Sequence, residues 1–287
     1  MTAISMPGAP VADTVLAEVA SRADAVAAAA GRRPGLATIL VGDDAPSANY
    51  VRKKHETCEL LGLRSRDLRL PATTSRAQLL EAIEALNADP EIDAFIVQSP
   101  LPDGLDFHAA MRAIDPAKDA DGLHPTNLGL LALGVSGAPR PCTPLGIQAM
   151  LAYYGVPVAG RRVVVVGRGP TLGRPLSMLL GLKEEGADAA VTVVHSGVPD
   201  WGDVAREADI LVGAAGVGNM ITPGVVKPGA CVIGGGLTWQ GRRVVSDVDE
   251  ACGEVAGWIT PRLGGVGVTT VAMLLRNTVA AAEAALR

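Results

Sequence analysis

The segment from Arg161 to Gly173 constrains this chain most. Four consecutive valines, Val163 to Val166, run directly into Gly167-Arg168-Gly169-Pro170-Thr171-Leu172-Gly173. A short β-branched run that stops at a glycine turn reads as a buried strand of a parallel sheet covered by helices. Glycine at 167, 169 and 173 lets the backbone turn tightly and approach a ligand closely. The helix that follows offers free N–H groups and the positive end of its dipole. Together these features suit a pyrophosphate, so the segment is read as the first turn of a dinucleotide site, with a spacing one residue longer than the common glycine fingerprint.

The next strand in such a unit is expected at Ala190–His195, and it ends Val193-Val194-His195-Ser196-Gly197. No acid stands there to hold a ribose 2′-hydroxyl, as an NAD site would require. Arg168 in the first turn can pair with a 2′-phosphate instead, and His195 and Ser196 can add hydrogen bonds. The pattern predicts NADP as the cofactor.

Elsewhere, apolar runs at Leu36–Val41, Leu63–Leu70 and Ile92–Gln98 alternate with helical patterns over residues 11–30, Ser47–Leu61 and Ser75–Asn87. That alternation indicates a second α/β unit with its own parallel sheet. The Pro/Gly-rich stretch Gly134–Pro144 marks a boundary. Beyond it come a helix at Leu145–Tyr154, strands at Asp209–Gly213 and Ala230–Gly234, and a terminal helix at Thr269–Leu286.

With 287 residues, 48% of them apolar, there is material for two domains, but the scarcity of Phe, Trp and Tyr means Ala, Val, Leu and Ile must build the cores. A formal net charge of −5 excludes a broad basic surface for nucleic acid or an anionic membrane. No apolar stretch is long enough to cross a membrane, and the first residues lack the features of a signal peptide. Cys58, Cys142, Cys231 and Cys252 are scattered without a CxxC pair, and the four histidines show no ligand spacing. A cytoplasmic enzyme with reduced cysteines and no metal is expected.

On the helix opening at Ser47, the residues Val51, Lys54, Cys58 and Leu61 share one face, with Tyr50 four positions before Lys54. A lysine on a burying stripe either snorkels at an edge or is a partly desolvated amine fit for acid–base work. Gln98 closes a buried strand at its carboxyl end, where open α/β sheets place ligand groups. The loop Asp115-Pro116-Ala117-Lys118-Asp119-Ala120-Asp121-Gly122 gathers acids without an EF-hand pattern, and a solvated turn or helix cap is its plain reading.

Seven segments in order now carry a resemblance: SANYVRKKH (47–55), VQSPLP (97–102), DPAKDADGLHP (115–125), PCTPLG (141–146), VVVVGRGPTLGRP (163–175), ITP (259–261) and GGVGVTT (264–270). Together they resemble the methylenetetrahydrofolate dehydrogenase/cyclohydrolase family along almost the whole chain. The resemblance implies an N-terminal catalytic and folate-binding α/β domain over residues 1–140, completed by a C-terminal helix over 269–287. A Rossmann-type NADP-binding domain would span 141–268, with the active site in the cleft between the two. It implies that Tyr50 stacks on the folate, Lys54 serves the cyclohydrolase step, Gln98 tunes that lysine and Asp121 holds the pterin. It extends cofactor contacts to Leu237 and substrate contacts to Gly264, Gly265 and Thr269, and it implies a homodimer. The implied activity is NADP-dependent oxidation of 5,10-methylenetetrahydrofolate to the methenyl form, then hydrolysis to 10-formyltetrahydrofolate.

Some positions depart from the family pattern. Ser99 stands for a leucine, Glu56 for a second lysine, and Gly169 for the serine of Gly-Arg-Ser. Gly234-Gly235-Gly236 stands for Asp-Val-Gly, and Leu263–Thr270 for Pro-Gly-Gly-Val-Gly-Pro-Met-Thr. A specialised paralog with altered or lost activity therefore stays open, as does another two-domain NADP dehydrogenase of the shikimate type. The second alternative would leave Tyr50, Lys54, Gln98 and Asp121 without a common explanation.

Overall fold

The computed structural model describes residues 2–241 and 243–286. These form two compact units, one of Thr14–Cys142 with Val271–Arg287, the other of Met1–Asp13 with Thr143–Thr270. The first elements are β1 (Ile4–Ser5), α1 (Ala9–Ala30), β2 (Gly35–Val41), α2 (Ala45–Leu60), β3 (Arg64–Leu70), α3 (Arg76–Ala88), β4 (Ala94–Val97), α4 (Phe107–Ala113) and α5 (Pro125–Ala132).

In the lysine-bearing unit, three parallel strands lie in the order β3-β2-β4. The seven residues of β2 are all buried, among them Thr38, whose hydroxyl pairs with His55 Nε2 at 2.8 Å. β3, with arginines at 64, 66 and 69, is largely exposed and forms an edge that charge protects from further pairing. Ala37, Ile39 and Val41 pack with Leu79, Ile83 and Leu86 of α3 and with Phe95 and Val97 of β4. Ser75 caps α3 in a reciprocal capping box with Gln78. Asp93, buried before β4, accepts from both Arg32 guanidinium nitrogens at 2.7 Å and from the Gly35 N–H at 2.8 Å. Helix α2 starts earlier than its sequence suggests. Asp44, rather than Ser47, is the N-cap and accepts from the Ser47 N–H at 2.9 Å. Pro46 is suited to that first turn, so the helix runs back past Ser47.

The remaining elements are α6 (Cys142–Tyr153), β5 (Arg162–Val166), α7 (Gly173–Leu180), β6 (Ala190–Val194), α8 (Trp201–Ala205), β7 (Ile210–Gly213), β8 (Cys231–Gly234), β9 (Leu237–Gln240), β10 (Arg243–Ser246), β11 (Trp258–Ile259) and α9 (Val266–Ala284). The glycine-turn unit holds a six-stranded sheet in the order β1-β11-β8-β7-β5-β6, with every pairing parallel. Val163 and Val165 pack on one face with Ile147, Leu176 and Ile233, while Val164 and Val166 pack on the other with Leu211 and Val232. A separate antiparallel hairpin joins β9 to β10.

The chain start, expected with the domain of residues 1–140, groups by its contacts with the glycine-turn unit. Ile4 pairs with Trp258 and Ser5 with Ile259, and Met6 is fully buried in the core of the glycine-turn unit. Two-residue strands such as β1 and β11 carry no periodicity, so the sequence pattern passes over them. Among the described residues, no helix is long and apolar enough to cross a membrane. All four cysteines are buried and free.

Candidate active site

Helix α2 carries Lys54 inward, where only 4% of its surface is exposed. Its Nζ donates to Gln98 Oε1 at 3.1 Å and lies 5.0 Å from the centroid of the Tyr50 ring, within cation–π range. The Gln98 N–H bonds to Ile39 O at 2.9 Å, which extends the sheet register past β4. Its side-chain N–H donates to Ser99 O at 2.7 Å, leaving Oε1 for the lysine. Burial pushes the Lys54 pKa down, opposed by the nearby charge of Asp121 and by Cys142. A snorkelling lysine would keep its head in water, and this one does not.

The acidic loop is no solvated turn. Asp119 is 1% exposed, and its carboxylate accepts from the Gly122 N–H at 3.0 Å, the His124 N–H at 2.7 Å and Asn127 Nδ2 at 2.9 Å. Asp115 caps the short turn Pro116–Lys118 through the Ala117 N–H at 2.9 Å. Gly122 has φ +71°, and an added Cβ would strike the Arg140 main chain, so the turn needs glycine. From the C-terminal helix, Asn277 Nδ2 donates to Ala120 O and Arg140 O, both at 2.9 Å. Cys142 donates its thiol to Ala120 O at 3.2 Å. These bonds hold Asp121, which is partly accessible. Surrounding protein raises its pKa, Lys54 opposes that rise and Asp119 adds to it. The loop thus divides its acids between two that build the turn and one that it presents.

Asp119 and Asn277 were not singled out from sequence. Asn277 lies four and three positions after the buried Met273 and Leu274 of α9, and a polar residue at that helical spacing is a usable signal. Glu56 forms an i, i+4 pair with Arg52 at 2.9 Å on the exposed face of α2, so the altered residue there faces away from the buried lysine.

In the other unit the glycine turn follows β5 as its sequence demands. Gly167 has φ +125°, and a Cβ there would meet Ala214 O, while one at Gly173 would meet Gly167 O. A Cβ at Gly169 would meet open space. Arg168 is exposed beside this turn. His195 follows β6 half-exposed, with Nδ1 accepting from the Gly197 N–H at 3.1 Å, and Ser196 is exposed. Leu237 opens β9 and is 51% exposed. A turn that requires glycine at 167 and 173, an exposed guanidinium and a strand end without an acid fit NADP.

Gly264 has φ +74° with open space at its Cβ position, and its carbonyl accepts from the Gly8 N–H at 2.7 Å. Gly265 has Pro261 O at 2.9 Å from its Cβ position. Thr269 is the third residue expected at the substrate. It is fully buried, donates its hydroxyl to Val266 O at 2.8 Å and packs against Gly146, so its side chain fastens α9 to α6. Among the described residues, no group of three or more His, Cys, Asp or Glu side chains gathers to hold a metal.

Comparison with known proteins gives a concordant result. Residues 6–121 match the family model of the tetrahydrofolate dehydrogenase/cyclohydrolase catalytic domain, and residues 141–286 match that of its NAD(P)-binding domain. The chain is 56% identical to the bifunctional protein FolD of Syntrophotalea carbinolica, over 99% of this chain and 97% of that one. It is also 56% identical to the bifunctional protein FolD 1 of Salinispora tropica, over 97% and 90%. Among solved structures, the methylenetetrahydrofolate dehydrogenase-cyclohydrolase of Trypanosoma brucei, complexed with NADP cofactor and inhibitor, superposes with a TM-score of 0.94 at 36% identity, covering 100% of this chain and 99% of that one. The chain therefore belongs to the tetrahydrofolate dehydrogenase/cyclohydrolase family.

Proposed function

We propose that this protein oxidises 5,10-methylenetetrahydrofolate with NADP and hydrolyses the methenyl product to 10-formyltetrahydrofolate. One observation carries the reading: a buried lysine hydrogen-bonded to Gln98 and electrostatically coupled to Asp121. Relatives that share 56% of the sequence are bifunctional FolD proteins, and the NADP-bound neighbour has the same fold. NADP supplies the acceptor for the hydride lost by the methylene carbon.

In this reading Tyr50 stacks on the folate, and Asp121 accepts from the pterin N–H groups, as a carboxylate can from two donors. Burial gives Lys54 a larger neutral fraction than an exposed lysine, so it can take a proton from the water that attacks the methenyl carbon. Gln98 keeps the amine directed and prevents it from turning away. Gly167, Gly169 and Gly173 admit the pyrophosphate to the N-terminus of α7, and Arg168 pairs with the 2′-phosphate, with His195 and Ser196 alongside. Leu237 supplies an apolar contact to the cofactor, and Gly264 and Gly265 supply main-chain contacts to substrate. We assign folate binding to the lysine-bearing unit and NADP binding to the glycine-turn unit. Free, buried cysteines fit a cytoplasmic setting, and the family likeness supports a homodimer.

The test is direct. Wild-type protein is mixed with 5,10-methylenetetrahydrofolate and either NADP or NAD, and NADPH, methenyl and 10-formyl products are followed separately. The proposal expects NADPH and 10-formyltetrahydrofolate in step, with NADP preferred. No reduced cofactor with either nucleotide would refute it.

A further inference from the structure

We propose that Asp247 is a positioning residue of the dinucleotide site, whose buried carboxylate clamps the loops after β7 and β8 in the arrangement that the nicotinamide half of NADP requires. The proposal rests on the cofactor reading above. Strand order supplies the location. β6 and β7 flank β5 on opposite sides, and β8 lies next to β7. Open α/β sheets bind ligands beyond the carboxyl ends of their strands, where the order reverses. If the 2′-phosphate lies beside Arg168 and the end of β6, the rest of the dinucleotide crosses β5 towards the ends of β7 and β8. Those ends continue into residues 214–218 and 235–236.

Asp247 comes from elsewhere, immediately after the hairpin strand β10, and is fully buried. Its Oδ2 accepts from the Ala215 N–H at 2.9 Å and its Oδ1 from the Val217 N–H at 2.8 Å. Its own N–H donates to Gly236 O at 3.1 Å. One residue therefore ties both loops together through the main chain. The surrounding glycines exist to admit it. A Cβ at Gly236 would fall on the Asp247 carboxylate, and one at Gly213 would lie 2.6 Å from the Asp247 Cβ.

The same packing accounts for the glycine run that departs from the family pattern. A Cβ at Gly234 would strike the Ser246 hydroxyl, and one at Gly235 would lie 2.5 Å from Leu172 Cδ2 and 3.0 Å from Gly213 O. The space for a side chain at 234 is filled from the neighbouring residue of the clamp. The altered loop is a repacked one, held by Asp247 rather than left open.

Asp247→Asn conserves volume but turns one acceptor into a donor facing a main-chain N–H. Gly236→Ala pushes on the same carboxylate without changing its charge. In each variant four quantities are measured: affinity for NADP, affinity for adenosine 2′,5′-bisphosphate, NADP-dependent oxidation, and hydrolysis of added methenyltetrahydrofolate. Hydrogen exchange over residues 214–218 and 235–237 reports the loops themselves.

The expected result is NADP binding weakened about tenfold or more, slower oxidation and faster loop exchange, with adenosine bisphosphate affinity and hydrolysis retained. Unchanged NADP affinity and oxidation would overturn the proposal. Loss of adenosine bisphosphate binding along with the rest would also overturn it, because the effect would then be a general weakening of the unit. Wild-type protein that binds NADP but oxidises nothing would refute the proposed function, leaving the comparison of the two nucleotides to judge Asp247.

Discussion

A single burial decides the character of Lys54. An amine in water has no use for Gln98, but one that is 4% exposed needs an acceptor, and the amide oxygen at 3.1 Å supplies it. Burial lowers the lysine pKa and Asp121 raises it, so removing that carboxylate lowers it further. Neutral amine forms as pH rises through this pKa. In Asp121→Asn, the inflection of the hydrolysis rate against pH should therefore move to lower pH than in wild type. Folate affinity should also fall by about tenfold as a charged acceptor is lost, with NADP affinity kept. Calorimetry and a pH–rate profile corrected for uncatalysed hydrolysis check both outcomes, and unchanged folate affinity would remove Asp121 from the pterin. At the other site, Arg168→Ala should raise the NADP KM far more than the NAD KM, by up to about 3 kcal/mol of lost charge-assisted contact. Equal effects on the two nucleotides would take Arg168 away from the 2′-phosphate.

At the scale of elements, the parts legible in the sequence were those with a local physical signature. The valine run of β5 with its glycine turn and the stripe of α2 each follow from neighbouring residues. What escaped depends on partners far along the chain. Asn277 supports Ala120 and Arg140 across more than a hundred residues, and Asp119 serves three donors that no spacing rule connects. Thr269 opens a helical pattern in the sequence, which does not show that its side chain is consumed by the packing of α9. The turn that presents Asp121 thus depends on buried polar groups. Asp119→Ala leaves the donors of Gly122, His124 and Asn127 without their acceptor and should destabilise the protein by about 3 kcal/mol or more. Chemical denaturation measures it, and a loss under 1 kcal/mol, within the range of an ordinary surface substitution, would show the turn to be held by something else.

At the scale of the molecule, two α/β units each build a parallel sheet, with Gln98 just past the end of β4 in one and the glycine turn after β5 in the other. The boundary near residue 142 was marked in the sequence by proline and glycine. The return of residues 1–13 to the later unit was not, because two paired residues of β1 leave no pattern to read. Lys54 belongs to one unit and the glycine turn to the other, so under the proposed function the two reactions should separate by mutation. Lys54→Met tests this most directly, since methionine fills the apolar slot and removes only the amine. With 5,10-methylenetetrahydrofolate and NADP, the variant should still form NADPH while methenyltetrahydrofolate accumulates instead of 10-formyltetrahydrofolate. Wild-type rates of methenyl hydrolysis in Lys54→Met would contradict the account.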